Sequence, residues 1–276
     1  MQHPALNATS RQHATVLAIA SGKGGVGKTN IAANLSICLA GVHQRVVLID
    51  ADLGLGNLDV VMNLQSRYNL SHVVSGQKRL EEIVHLGPAG VEVVCGGSGV
   101  ETLANLNAFQ RQRLIESMDT LCERADFVVI DAGAGIQASV VGFCLAADST
   151  LVVTTPEPTA MTDAYAMIKV LASNAYTGRI HLLVNMAQTV AEGRTVYRQI
   201  SDVASRFLNT PVYEAGTLCR DEAVWSAVRK RTPVVLAYPR SPITAAIKDV
   251  SVRLALGKHE KNTSDGFFRK VVNWFF

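Results

Sequence analysis

The chain has no C-x-x-C pair, no uninterrupted apolar run of 18 residues, no low-complexity tract and no internal repeat. Each absence removes a class. Its five cysteines, Cys38, Cys95, Cys122, Cys144 and Cys219, are dispersed and odd in number. That argues against a disulfide framework, a zinc site or an iron–sulfur centre and fits a reducing cytoplasm. Without a long apolar run or a charged-then-apolar opening, neither a membrane span nor a secretory signal is expected. Charge is close to balanced, 26 Lys+Arg against 23 Asp+Glu, so the net +3 does not by itself mark a nucleic-acid binder. With 48% hydrophobic and 18% charged residues the disordered, collagen-like and coiled-coil classes are excluded, and 276 residues suffice for one large domain or two small ones.

What is present is an alternation of short Val/Ile/Leu runs with longer amphipathic stretches, the pattern of an α/β fold with a mostly parallel sheet and helices on both faces. The runs predict strands at Thr15–Ala20, Arg45–Asp50, Val91–Cys95, Asp126–Asp131, Thr150–Thr155, Arg179–Asn185 and Val212–Leu218. Helices are predicted at Thr29–Ala40, Gln110–Glu123, Gln137–Ala147, Thr159–Ser173, Thr195–Phe207, Glu222–Lys230 and Ser241–Leu256. Connections are short, so residues 15–256 read as one domain. Residues 1–14 read as a disordered tail, 257–265 as a flexible linker, and 266–276 as a short amphipathic helix.

Immediately after the first predicted strand comes Gly22-Lys23-Gly24-Gly25-Val26-Gly27-Lys28-Thr29, which satisfies G-x-x-x-x-G-K-[ST] in the strand–loop–helix context the motif needs. Glycines let backbone N–H groups turn inward around phosphate oxygens, and the helix N-terminus adds positive potential. Lys28 is then placed to reach the β and γ phosphates and the Thr29 hydroxyl to ligate Mg²⁺. An ordinary glycine turn would not require this order of residues. Two further carboxylate groups stand at predicted strand ends, where ligands sit in open parallel sheets: Asp50 with Asp52, and Asp131 after Phe127–Ile130. Asp131, followed by Ala132-Gly133-Ala134-Gly135, has a Walker B arrangement, while Asp59 reads as a helix cap.

The segment Lys23–Thr29 resembles the deviant Walker A motif of the MinD/ParA family of dimerising ATPases. The resemblance implies an ATP-sandwich homodimer with Mg²⁺, in which Lys23 crosses to the partner's phosphates. It assigns Asp50 to the Mg²⁺ shell together with Thr29 and Asp131, Asp52 to orienting the attacking water, and Asn57 to sensing the γ-phosphate. Asn185, and Asp221 in the loop after the last predicted strand, are implied to contact the base, with Cys219 standing where a proline is usual. Lys28-Thr29-Asn30, Asp52–Asn57, Glu157-Pro158-Thr159 with Thr162–Tyr165, and Val184–Ala187 with Glu192-Gly193-Arg194 are similar to the branch that regulates flagellar number, FlhG, FleN and YlxH. Partners implied by that branch are the SRP-type GTPase FlhF or a flagellar transcriptional activator. Met1–Ser10 carries nothing like the D-Q-A-x-x-L-R element of members that stimulate the GTPase, so the resemblance does not extend to GTPase activation.

A ParA-type ATPase acting on nucleoid DNA is the competing expectation. It rests on ten Lys/Arg against six acids between Val190 and Leu256, a surplus more often found on a solvated surface. In the C-terminal decapeptide, Phe268, Val271, Val272, Trp274, Phe275 and Phe276 share one helical face and Arg269, Lys270 and Asn273 the other. So short a helix needs an apolar surface to fold against. Two are open to it: an anionic membrane, which would place the protein peripherally on the cytoplasmic membrane, or a groove on its own domain.

Overall fold

The structure is a computed structural model that describes residues 14–42, 44–52, 56–96, 108–256 and 266–275. Its strands are β1 (Thr15–Ser21), β2 (Val46–Ala51), β3 (Val84–Leu86), β4 (Glu92–Val94), β5 (Phe127–Ala134), β6 (Ser149–Thr154), β7 (Arg179–Ala187) and β8 (Val212–Cys219). They form one eight-stranded sheet in the order β3-β4-β2-β5-β1-β6-β7-β8, parallel throughout except for the β3 edge. Helices are α1 (Lys28–Ala40), α2 (Leu58–Met62), α3 (Leu70–Val74), α4 (Ala108–Glu123), α5 (Ala138–Ala146), α6 (Pro158–Ser173), α7 (Val190–Leu208), α8 (Glu222–Arg229), α9 (Val234–Ala237), α10 (Pro242–Leu256) and α11 (Phe267–Phe275).

Strand alternation divides the core in two. Val16, Ala18 and Ala20 of β1 face one side, where Met118, Val140, Phe143, Ile168 and Ile200 of α4 to α7 cover them. Leu17 and Ile19 face the other, covered by Ile31 and Leu35 of α1, Val234 and Val235 of α9, and Ile243 and Ile247 of α10. Burial on both faces explains why these strands read as unbroken apolar runs.

All seven predicted strands and all seven predicted domain helices are present, with ends shifted by a few residues. Four elements were not expected. β3, α2, α3 and α9 are three to five residues long, too short for a period to register. The largest boundary error is at α7, which starts five residues before the predicted Thr195. Thr189 caps it by accepting from the Glu192 N–H at 3.1 Å, and Glu192 takes the Gln188 N–H at 2.6 Å. This T-x-x-E start was obscured by Gly193, which the helix keeps because a Cβ there would lie 2.2 Å from Thr217.

The expected linker and nearly all of the expected N-terminal tail lie outside the described residues. The exception is Ala14, which is buried in the core instead of belonging to a tail. α11 is helical as expected, and it packs on α4 and α5, where Phe267 and Val271 join the core. Among the described residues no helix is long and apolar enough to cross a membrane.

Candidate functional site

The central strand β1 ends at Ser21, and Ser21 Oγ donates to the Lys23 carbonyl at 2.6 Å, pinning the start of the loop. At the other end Gly27 has φ 93°, a left-handed conformation that favours glycine, and α1 begins at the next residue. No side chain caps α1 and no acid lies in its first turn. Its first N–H groups and its dipole are therefore offered to an anion, with the half-charge that phosphate recognition uses. Lys28 is nearly buried beneath this loop.

Parallel register sets the carboxylates. Asp50 of β2 pairs with Asp131 of β5, so two acids stand side by side at the carboxyl end of the sheet. Both are almost fully buried. Burial, and then the neighbouring Asp131 charge, pushes the Asp50 carboxyl up to about 7, against hydrogen bonds from the Asp52 and Leu58 N–H groups. Asp131 is pushed up to about 6 by burial, opposed by the Thr29 hydroxyl and the Lys28 charge. Its Oδ1 is buried without a hydrogen-bond partner. Two adjacent buried carboxyls with an unspent oxygen and a threonine hydroxyl make a poor apolar core and a good seat for a hard divalent cation, whose charge would offset their burial. The residues fit Mg²⁺. Asp52 sits above them, within ordinary contact of the position a Cβ on Gly133 would take.

Lys23 does not turn toward its own loop. Its Nζ donates to Glu157 Oε1 at 2.6 Å and to Thr159 Oγ1 at 2.8 Å, at the start of α6, and the hydrogen bonds from Lys23 and then Thr159 hold the Glu157 carboxyl below the usual range. Neither Glu157 nor Thr159 was expected in the site. Their position just past the carboxyl end of β6 was the available signal.

Near the carboxyl end of β7, Asn185 Nδ2 donates to the Val26 carbonyl at 2.8 Å, tying β7 to the phosphate loop. Met186 follows with φ 58°, and its carbonyl accepts from Arg220 Nε at 3.2 Å. A cavity of about 370 Å³ opens between Lys23–Val26, Glu157, Met186, Glu192 and Arg220. Asp221 stands at the start of α8 and accepts two backbone hydrogen bonds. Its Oδ1 accepts from the Ala223 N–H at 2.8 Å and its Oδ2 from the Ile243 N–H at 3.3 Å. The carboxylate caps α8 and ties it to the start of α10. Asn57 stands at the N-cap of α2, and Asn30 lies in the first turn of α1, its carbonyl accepting from Asn34 Nδ2. The structure thus gathers Gly24–Thr29, Asp50, Asp52, Asp131 and Asn185 at one end of the sheet.

A family model described as "AAA domain" matches residues 14–182. The antiactivator FleN of Pseudomonas aeruginosa is 40% identical over 239 residues, covering 87% of this chain and 85% of FleN. The flagellum site-determining protein YlxH of Helicobacter pylori is 32% identical over 265 residues, covering 94% of this chain and 90% of YlxH. Among solved structures, the MinC:MinD cell division protein complex of Aquifex aeolicus aligns with TM-score 0.71 and 26% identity, over 92% of this chain and 100% of that one. With a phosphate loop, a divalent-cation seat and these relatives, the protein is an ATPase that uses ATP and Mg²⁺, and the chain belongs to the MinD/ParA family, in the branch that holds FleN and YlxH.

Proposed function

We propose that this chain is an ATP-dependent dimerising switch that regulates flagellar number or placement from the inner face of the cytoplasmic membrane. The observation that carries it is the direction of Lys23. A lysine inside the phosphate loop is held at the open mouth of the cleft, on the Glu157 side, where a second subunit's nucleotide can reach it. In the assembled site Lys28 binds the β and γ phosphates of its own nucleotide, Lys23 those of the partner, and Asp52 orients the attacking water. Thr29, Asp131 and Asp50 would hold Mg²⁺, whose charge stabilises the negative charge that develops on the transferred phosphoryl group. The flagellar assignment follows from the names of the FleN and YlxH relatives, and the SRP-type GTPase FlhF or a flagellar transcriptional activator is the corresponding partner.

The tail supplies the membrane contact. Phe267 and Val271 are buried and Trp274 Nε1 donates to the Ala138 carbonyl at 2.9 Å, so the apolar face that would enter a bilayer is the one that docks on α4 and α5. Docking and insertion exclude each other. A single short helix binds lipid weakly, and two on one dimer raise the effective concentration of the second, so attachment should follow ATP. Vesicle co-sedimentation tests this. Asp52→Ala with ATP should pellet with anionic vesicles, and deleting residues 266–276 should abolish pelleting while ATP-dependent dimerisation stays. Equal pelleting of the truncated protein overturns the membrane reading.

A further inference from the structure

α8 carries an outward face that the ATPase cycle described above does not use. Ala227 is buried and Ala223 and Val224 pack on the core, while Trp225 is 77% exposed and Val228 46% exposed. Val228 and Arg229 lie three and four positions after Trp225, so a branched apolar side chain and a guanidinium flank the indole on the helix surface. Leu236 of the adjoining α9 is also exposed. Arg229, Lys230 and Arg231 follow in succession, all exposed.

This basic turn is built, and not merely solvated. Lys230 Nζ lies 3.1 Å from the Tyr238 hydroxyl and 5.2 Å from the centre of its ring. Arg231 occupies the left-handed position at φ 48° that ends the helix, where glycine would sit without strain. Keeping an arginine there retains a charge at a backbone cost. Of the two nearby acids, Asp221 is spent on capping, leaving Glu222 alone against the basic cluster.

We propose that the exposed face of α8 and α9, centred on Trp225, is a docking surface for an acidic segment of a protein partner that also carries apolar side chains. An exposed tryptophan with an arginine one helical turn away is the composition of an interface hot spot. Charge complementarity selects acid, and Trp225, Val228 and Leu236 supply apolar contact that a phosphate backbone does not need. A bilayer fits less well. α8 packs on the opposite side of the sheet from α11, so one flat membrane cannot receive both.

The test uses the full chain labelled with 5-fluorotryptophan, in which Trp225 and Trp274 give the two resonances. The probes are a twenty-residue helical peptide of alternating glutamate and leucine pairs, a duplex DNA and phosphatidylglycerol vesicles. The peptide should move the Trp225 resonance at low salt, less so at high salt. Trp225→Ala should weaken its binding by about tenfold or more, and Arg229→Glu with Lys230→Glu and Arg231→Glu should abolish it. No movement with peptide, movement that survives charge reversal, or a stronger response of Trp225 to DNA or vesicles overturns the proposal.

Discussion

Lys23 Nζ and Glu157 Oε1 lie 2.6 Å apart, an ion pair between residues 134 positions apart in the chain. Both side chains are partly exposed, at 37% and 54%. Water screens an exposed pair of this kind and leaves it worth little, so the pair orders Lys23 without locking it and a second nucleotide can displace the carboxylate. Lys23→Ala should bind ATP as a monomer with near wild-type affinity and fail to dimerise. Light scattering that shows a normal ATP-dependent dimer removes the role in trans.

Lys28 and Asp52 should separate differently. Lys28 is nearly buried under the loop it serves, so Lys28→Ala should abolish nucleotide binding in calorimetry. Asp52→Ala should keep ATP and Mg²⁺, lose turnover by at least about a hundredfold and accumulate as a dimer. Retained turnover would move water positioning to another side chain.

Asn185 joins β7 to the phosphate loop through one neutral hydrogen bond to Val26. Removing such a bond costs about 0.5–1.5 kcal/mol. Asn185→Ala should therefore weaken ATP binding by roughly two- to twelvefold. If affinity for inorganic tripolyphosphate also falls, the loss lies in the loop; if it does not, Asn185 acts on the base alone.

Gly142 of α5 is the place to release the tail without altering it. A Cβ there would lie 2.4 Å from Trp274 Cδ1, so Gly142→Ala should push α11 off its seat. Vesicle binding should then rise in the absence of ATP, and tryptophan emission should shift to the red. Unchanged emission would mean that the indole finds another rotamer in place.

His181 on β7 gives the fold an acid limit. Burial first, and the Arg179 charge second, lower its pKa from 6.5 to about 4. Between those values the unfolded chain binds more protons than the folded one, so stability is full above pH 6.5 and is lost as the pH falls toward 4. The full effect is on the order of 3 kcal/mol. His181→Phe, which keeps a ring against Tyr213, should flatten denaturation midpoints over this range. A midpoint that still falls in parallel with wild type assigns the acid limit to other groups.

Much of the site was legible because its chemistry is local. The loop Gly22–Thr29 is contiguous and lies where a strand meets a helix, and Asp50 and Asp131 end apolar runs that only a buried parallel strand explains. Likewise the tail's two-faced pattern over ten residues sufficed to predict α11. The sequence by itself therefore determined the order of the longer strands and helices, the phosphate loop and the carboxylates at the strand ends. Tertiary structure decided what each polar group touches. Asp221 follows β8 as a base-contacting residue would, and the approach of α10 brings the Ile243 N–H to its second oxygen. Lys23 has Glu157 as its partner because β6 lies beside β1 in the sheet. The tail found a seat because Gly142 leaves room for Trp274 on α5, and no periodicity in either segment records that fit. Local pattern follows from backbone geometry within a few residues, whereas these pairings depend on how distant segments close on one another.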